Sequence, residues 1–151
     1  MILDKRNEFC DATALNTGGA GTYLIGDQID LGAARDVGNG QPVYLVITVD
    51  TLPTSGGSAT AQFSLASDAS ASIATDGSAS VHLQTKAFAI SEMAAGTVLA
   101  AIALPMEGVA YERYLGILQT TGTAAFTGGK INAFLTHDVA KWKSYDAPFQ
   151  A

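Results

Sequence analysis

Charge is what this chain has least of. Asp, Glu, Lys and Arg make up 15% of its 151 residues, where a soluble domain usually carries about a quarter. Ala, Ser, Thr and Gly fill the deficit, a profile of small-residue β-proteins and of surfaces that face other protein. The charge that remains is acidic, with a net value of −6 and a pI near 4.6. No Lys or Arg occurs between Arg35 and Lys86. Neutralising phosphates takes a basic patch, so direct nucleic-acid binding is not expected. A single cysteine, Cys10, excludes an internal disulfide framework and suits a reducing compartment. Its neighbours Glu8 and Asp11 should raise its pKa, which points to a packed side chain rather than a nucleophile.

Chemistry-bearing patterns are equally sparse. The two histidines, His82 and His137, form no His-x-His pair of the kind a cupin-like metal site uses. Serines abound, but no Gly-x-Ser-x-Gly elbow presents one as a nucleophile. The glycine-rich stretches 18–21 and 38–40 match neither a dinucleotide nor a phosphate-loop fingerprint. Asp27, Asp30 and Asp36 lie loosely around Gly26 and Gly32. They could hold a calcium ion with backbone carbonyls, although solvated loop carboxylates are the plainer reading and the helix-loop-helix calcium pattern is absent. Glu107 and Glu112 do not by themselves make a glycosidase pair. The expectation is a chain that is not an enzyme and takes no cofactor.

Long apolar runs are missing too. The window Ala87 to Met106 is rich in Ala, Ile, Leu and Val but is broken by Ser91, Glu92, Gly96 and Pro105. It reads as a turn followed by a strand, not a membrane span. The first residues, MILDKRNEFCD, carry charges where a signal peptide needs its apolar core. A protein made and kept in the cytoplasm, or one that leaves by lysis, is expected.

What the chain does have is alternation. In Val43–Val49, residues Val43, Leu45, Ile47 and Val49 share one face, and Tyr44, Val46 and Thr48 share the other. This is the core strand, introduced by Gly38-Asn39-Gly40 and Pro42. Further strands are expected at 23–25, 29–31, 60–68, 81–88, 97–104, 111–120 and 130–136, with 60–68 pairing the core strand. Gly116 within a strand suggests a bulge or a close approach of backbone, and 97–104 reads as doubly buried or bulged. Leu52–Ser58 reads as a loop. Ser67–Ser80 reads as a long polar loop that its lone Ile73 pins to the body.

About eight short strands with Gly/Ser/Pro turns and no long helix give the fold class. It is all-β, a jelly-roll-like antiparallel β-sandwich in a single domain over 1–151. The expected N-terminal arm covers 1–20, with a helical turn near Lys5–Phe9 and then a flexible loop. The C-terminal tail covers 139–151. Three aromatics in that tail are costly to leave in water, so it should dock on this protein or on a neighbour. The candidate partner-binding residues are Met1, Leu3, Lys5, Arg6 and Phe9 in the arm, and Trp142, Tyr145 and Phe149 in the tail. Arg35-Asp36 and Glu112-Arg113 read as structural ion pairs, or as rim contacts with a partner.

With IDLGAARDVGNGQPVYLVITVD (29–50), ERYLGIL (112–118) and GGKINAFLTHD (128–138), the sequence resembles the capsid cement proteins of tailed phages. The nearest likeness is to the family typified by the jelly-roll cement protein of a Bordetella podophage. The resemblance implies a virion protein on the capsid exterior, bound to the outer surface of an expanded shell. There it would bridge neighbouring copies of the major capsid protein and associate with itself, as a homodimer in preference to a trimer. It implies no catalysis. The competing function is a β-sandwich carbohydrate- or receptor-binding module of a phage particle. Such sites set exposed aromatics beside Asp, Asn or Gln on a sheet face. Tyr23, Tyr44, Tyr111 and Tyr114 could supply them, while the one tryptophan, Trp142, sits in the tail.

Overall fold

The computed structural model describes residues 4–38 and 40–142. Among these residues nine strands build two antiparallel sheets. They are β1 (Glu8–Ala14), β2 (Gly21–Asp30), β3 (Tyr44–Thr54), β4 (Thr60–Asp68), β5 (Ser80–Gln84), β6 (Phe88–Ala89), β7 (Val98–Ala103), β8 (Tyr114–Gly122) and β9 (Gly128–Thr136). The first sheet runs β1-β9-β3-β7 and the second β2-β8-β4-β5, with β6 also on β4. Setting the two-residue β6 aside, successive strands alternate between the sheets except β4 and β5, which pair with each other in the second. Each sheet interleaves early strands with late ones, which is the jelly-roll wind. Short 3-10 turns occupy Lys5–Asn7, Ile90–Glu92 and Ala140–Trp142.

The core fills the gap between the sheets. Leu45, Ile47 and Val49 of β3 and Ile131, Ala133 and Leu135 of β9 meet Ala61, Phe63 and Leu65 of β4 and Leu115 and Ile117 of β8. Phe9, Met93 and Phe126 close the remaining space, each at most 1% exposed. Burying each such side chain stabilises the fold by about 1.5–3 kcal/mol relative to exposure.

Several expectations change. Residues 8–14 are not part of an arm. They form β1, paired with β9, and Phe9 is 1% exposed. Nor do residues 15–19 hang free. Leu15 N–H donates to the Gly129 carbonyl. The buried Gln119 side chain accepts from Asn16 N–H at 2.9 Å and donates back to the Asn16 carbonyl at 3.2 Å. The strands expected at 23–25 and 29–31 are one strand, β2, bulged between Ile25 and Ile29. Gly26 makes the bulge with φ +71°, and a Cβ there would fall on the Phe9 carbonyl of β1. Only glycine fits.

The strand 60–68 does not pair with β3. It crosses to the second sheet and lies between β8 and β5. Leu52–Thr54 belongs to β3 rather than to the following loop. Pro53 is tolerated there because β7 ends its pairing at Thr48, leaving that stretch of β3 at an edge. The strand expected over 81–88 splits into β5 and β6. The one expected from 111 starts at Tyr114, and Tyr111 packs into the core from the preceding loop.

Other expectations hold. β7 is bulged against β3. Ile73 lies against Ala66 and Leu118 on the outer face of the second sheet, 3% exposed, and so pins the long loop. Gly116 leaves it room, since a Cβ there would stand 2.5 Å from Ile73 Cδ1. No helix among the described residues is long and apolar enough to cross a membrane.

Candidate partner interface

One polar constellation has the residue types of a hydrolase, and its geometry shows what it does instead. At the end of β4, Ser67 is fully buried, with its Oγ 2.7 Å from His82 Nε2 on β5. Glu112 N–H donates to the same Oγ at 3.0 Å. The hydroxyl accepts from Glu112 N–H and shares its second bond with His82 Nε2, in which donor and acceptor follow the tautomer of the ring. The Tyr111 ring stacks on the imidazole with centroids 3.9 Å apart, and Tyr111 Oη donates to the Pro105 carbonyl at 2.9 Å. Ser80 Oγ donates to Glu112 Oε1 at 2.8 Å. Burial pushes the His82 pKa below its usual value, against the opposing pull of Glu112 and of the Val109 backbone. A serine with no exposed surface meets no substrate. The constellation ties the loop between β7 and β8 to the edge of the second sheet.

The aspartates do not converge either. Arg113 Nε and the NH2 nitrogen donate to the two carboxylate oxygens of Asp30 at 2.8 Å each, and Gly32 N–H donates to it at 2.7 Å. The Arg113 bond, then that of Gly32, lowers the Asp30 pKa to about 2. Among the described residues no three His, Cys, Asp or Glu side chains are placed to share a metal ion. Arg113 thus pairs with Asp30 rather than with its neighbour Glu112, and Glu112 bonds Ser80. Cys10 is inert. Burial, with Asp27 and Glu8 adding to it, pushes its thiol up to about 12, although a bond to Thr13 works the other way.

The candidate partner residues fall in different places. Met1, Leu3, Tyr145 and Phe149 lie outside the described residues. Lys5 and Arg6 are exposed on the first 3-10 turn, where Lys5 Nζ stands 3.5 Å from Glu8. They line a shallow cleft of about 520 Å³ with Glu8, Asp27, Ile29 and Asp30. Phe9 is consumed by the core and offers nothing to a partner. Trp142 docks on its own molecule, edge-on to Phe134 of β9 with ring centroids 5.0 Å apart, and its indole N–H is shielded with no acceptor among the described residues. It borders a cleft of about 260 Å³ on the outer face of the first sheet, beside Asp11, Thr48, Asp50 and Asn132.

Sequence reasoning missed an apolar surface. Ile102 on β7, and Met106 and Val109 in the loop that leaves it, are 40%, 52% and 57% exposed. The uncharged run TVLAAIAL (97–104) was the available signal, but it reads equally well as a doubly buried strand.

A search of the curated proteins returns no match. The Bbp16 family model matches residues 9–135, from the second residue of β1 to the penultimate residue of β9.

Proposed function

The chain belongs to the Bbp16 family, whose name points to a protein of a Bordetella phage, and from that premise we propose that it is a structural protein of a phage particle. It binds the outer surface of the expanded capsid, bridges neighbouring major capsid subunits, associates with a second copy of itself, and performs no catalysis. The observation that carries this reading is that the family match spans the whole sandwich while the sandwich spends its polar chemistry internally. Ser67, His82, Glu112, Asp30 and Arg113 are all engaged in bonds that hold loops and strands together. A rigid body with many modest contacts is what a shell needs. Repeated around a closed surface, such contacts gain strength from effective concentration rather than from individual tightness.

The test is co-sedimentation of the purified chain with expanded capsids that lack it, beside unexpanded shells. Saturable binding to expanded shells, with added resistance to heat, is expected. No binding to either shell overturns the reading.

One observation favours the second reading, a glycan- or receptor-binding module. The fold brings Trp142 out of the tail and onto a sheet face beside Asp11, Asp50 and Asn132, the company such sites keep. A glycan-binding screen that returns a ligand whose binding is lost in Trp142→Ala would establish it.

A further inference from the structure

We propose that β7 is the seam along which two copies of this chain join, antiparallel, merging their four-stranded sheets into one sheet across the dimer. The inference rests on the proposed function only for the fact of self-association, and it assigns the surface.

A sheet edge presents unpaired N–H and C=O groups, and monomeric proteins blunt such edges with charge, bulges or short strands. Among the described residues the edge strands are β1, β2, β7 and, one after the other along β4, β5 and the two-residue β6. β1 carries Glu8 and Asp11 and two register shifts, with Ala12 at φ 45°. β2 carries Asp27 and Asp30 and the Gly26 bulge. β5 is five residues long, with a register shift of its own. β7, VLAAIA, has no charge, glycine or proline, and its one bulge sits at its start, where it faces Thr48.

The free groups can be named. Leu104 N–H donates to the Val43 carbonyl at 2.8 Å. By the alternation of an antiparallel ladder, Ile102 and Ala100 also turn their backbone groups toward β3. Ala101 and Ala103 turn theirs away, and no bond to them from outside the β3 ladder occurs among the described residues. Ile102 is opposite Leu45 and so points to the core side, yet it is 40% exposed because no strand stands outside it.

A two-fold axis at Ile102 resolves these features together. Ala101 then exchanges both backbone bonds with Ala103 of the partner subunit, and Ala103 with Ala101 of the partner subunit. The two Ile102 side chains meet directly, in a pair without hydrogen bonds where side chains approach most closely. Pro105 ends the pairing. A second copy is the occupant the chemistry favours, because an isologous contact must be complementary to itself. In a chain of net charge −6, an uncharged strand of small residues can lie against its own copy without bringing like charges together.

The test uses the full chain. Sedimentation over a concentration series should show a reversible dimer. Under mild oxidation Ile102→Cys should cross-link almost completely, since the native Cys10 is buried. Leu52→Cys, 50% exposed and beyond the stretch of β3 that β7 pairs, should stay monomeric on a non-reducing gel. Ala101→Pro removes an N–H that faces away from β3, so the fold should persist by circular dichroism while the dimer is lost. Ile102→Lys gives the same readout should the proline variant fail to fold. A wild-type monomer at every concentration overturns the proposal, as do cross-linking at Leu52→Cys as fast as at Ile102→Cys and dimers that survive Ile102→Lys. A dimer that ignores capsids overturns the capsid reading alone. A monomer that saturates them overturns this one alone.

Discussion

A histidine stacked on tyrosine and bonded to a fully buried serine prefers one protonation state, and for His82 it is the neutral one. Its pKa is lowered chiefly by burial, so the unfolded chain takes up a proton more readily than the folded one. Stability should therefore be complete above 6.5, the ordinary histidine value, and decline as the pH falls below it. The carboxylates with lowered pKa values, Asp30, Asp68, Asp76 and Glu92, lose their contribution in the same direction but further into acid. Urea midpoints measured between pH 7 and 4.5 should fall for the native chain, and His82→Gln should flatten that limb. An unchanged slope in the variant would assign the dependence elsewhere. At this scale the sequence misled where it suggested that adjacent opposite charges pair. Both residues lie in the loop before β8 rather than in a strand, and there Arg113 reaches across to Asp30 while Glu112 finds Ser80. The inert Cys10 was legible in part. Glu8 contributes, but burial comes first, and Asp27 arrives from another strand.

Elements were legible where alternation was regular and lost where it broke. β3, β4 and β9 each send every second residue into the core, Leu45, Ile47 and Val49, Ala61, Phe63 and Leu65, and Ile131, Ala133 and Leu135, and each was visible. β1 was not, because its register shifts and the positive φ of Ala12 put Phe9 and Cys10, adjacent in sequence, both into the core. Alternation also reports which face is buried, not which strand lies alongside, so β4 was assigned to the wrong sheet. The lone apolar residue of the long loop and the glycine of β8 were each legible, but not that they meet. Their contact gives a prediction at this scale. Gly116→Ala sets a methyl 2.5 Å from Ile73 Cδ1 and 3.0 Å from Leu24 Cδ1, and the strain should cost about 1–3 kcal/mol. Ile73→Ala costs stability by itself, yet it removes the clash. The double variant should therefore be more stable than the sum of the two losses predicts. Urea unfolding of the four proteins decides it, and strict additivity would mean that the loop moves aside at no cost.

The whole molecule divides into a sandwich that the family match covers almost end to end and short flanks that it does not. The flanks hold most of the apolar residues that the sequence marks as lacking periodicity, and the described part of the C-terminal one already shows its habit. Trp142 lies on the outer face of the first sheet against Phe134 instead of facing water. Under the proposed function, the aromatics that follow, Tyr145 and Phe149, are the candidate contacts with a neighbouring capsid subunit. A chain ending at Trp142 should then keep its fold. Its unfolding free energy in urea should change by no more than about 0.5 kcal/mol, the range of changes remote from the core, and the emission of its sole tryptophan should be unaltered. Its binding to expanded capsids should weaken far more than one lost contact would suggest on a single subunit, because every site of the repeated array loses the same contact. If the shortened chain binds shells undiminished, the tail is not a partner contact, and the exposed residues of the first turn, Lys5 and Arg6, become the surface to alter next.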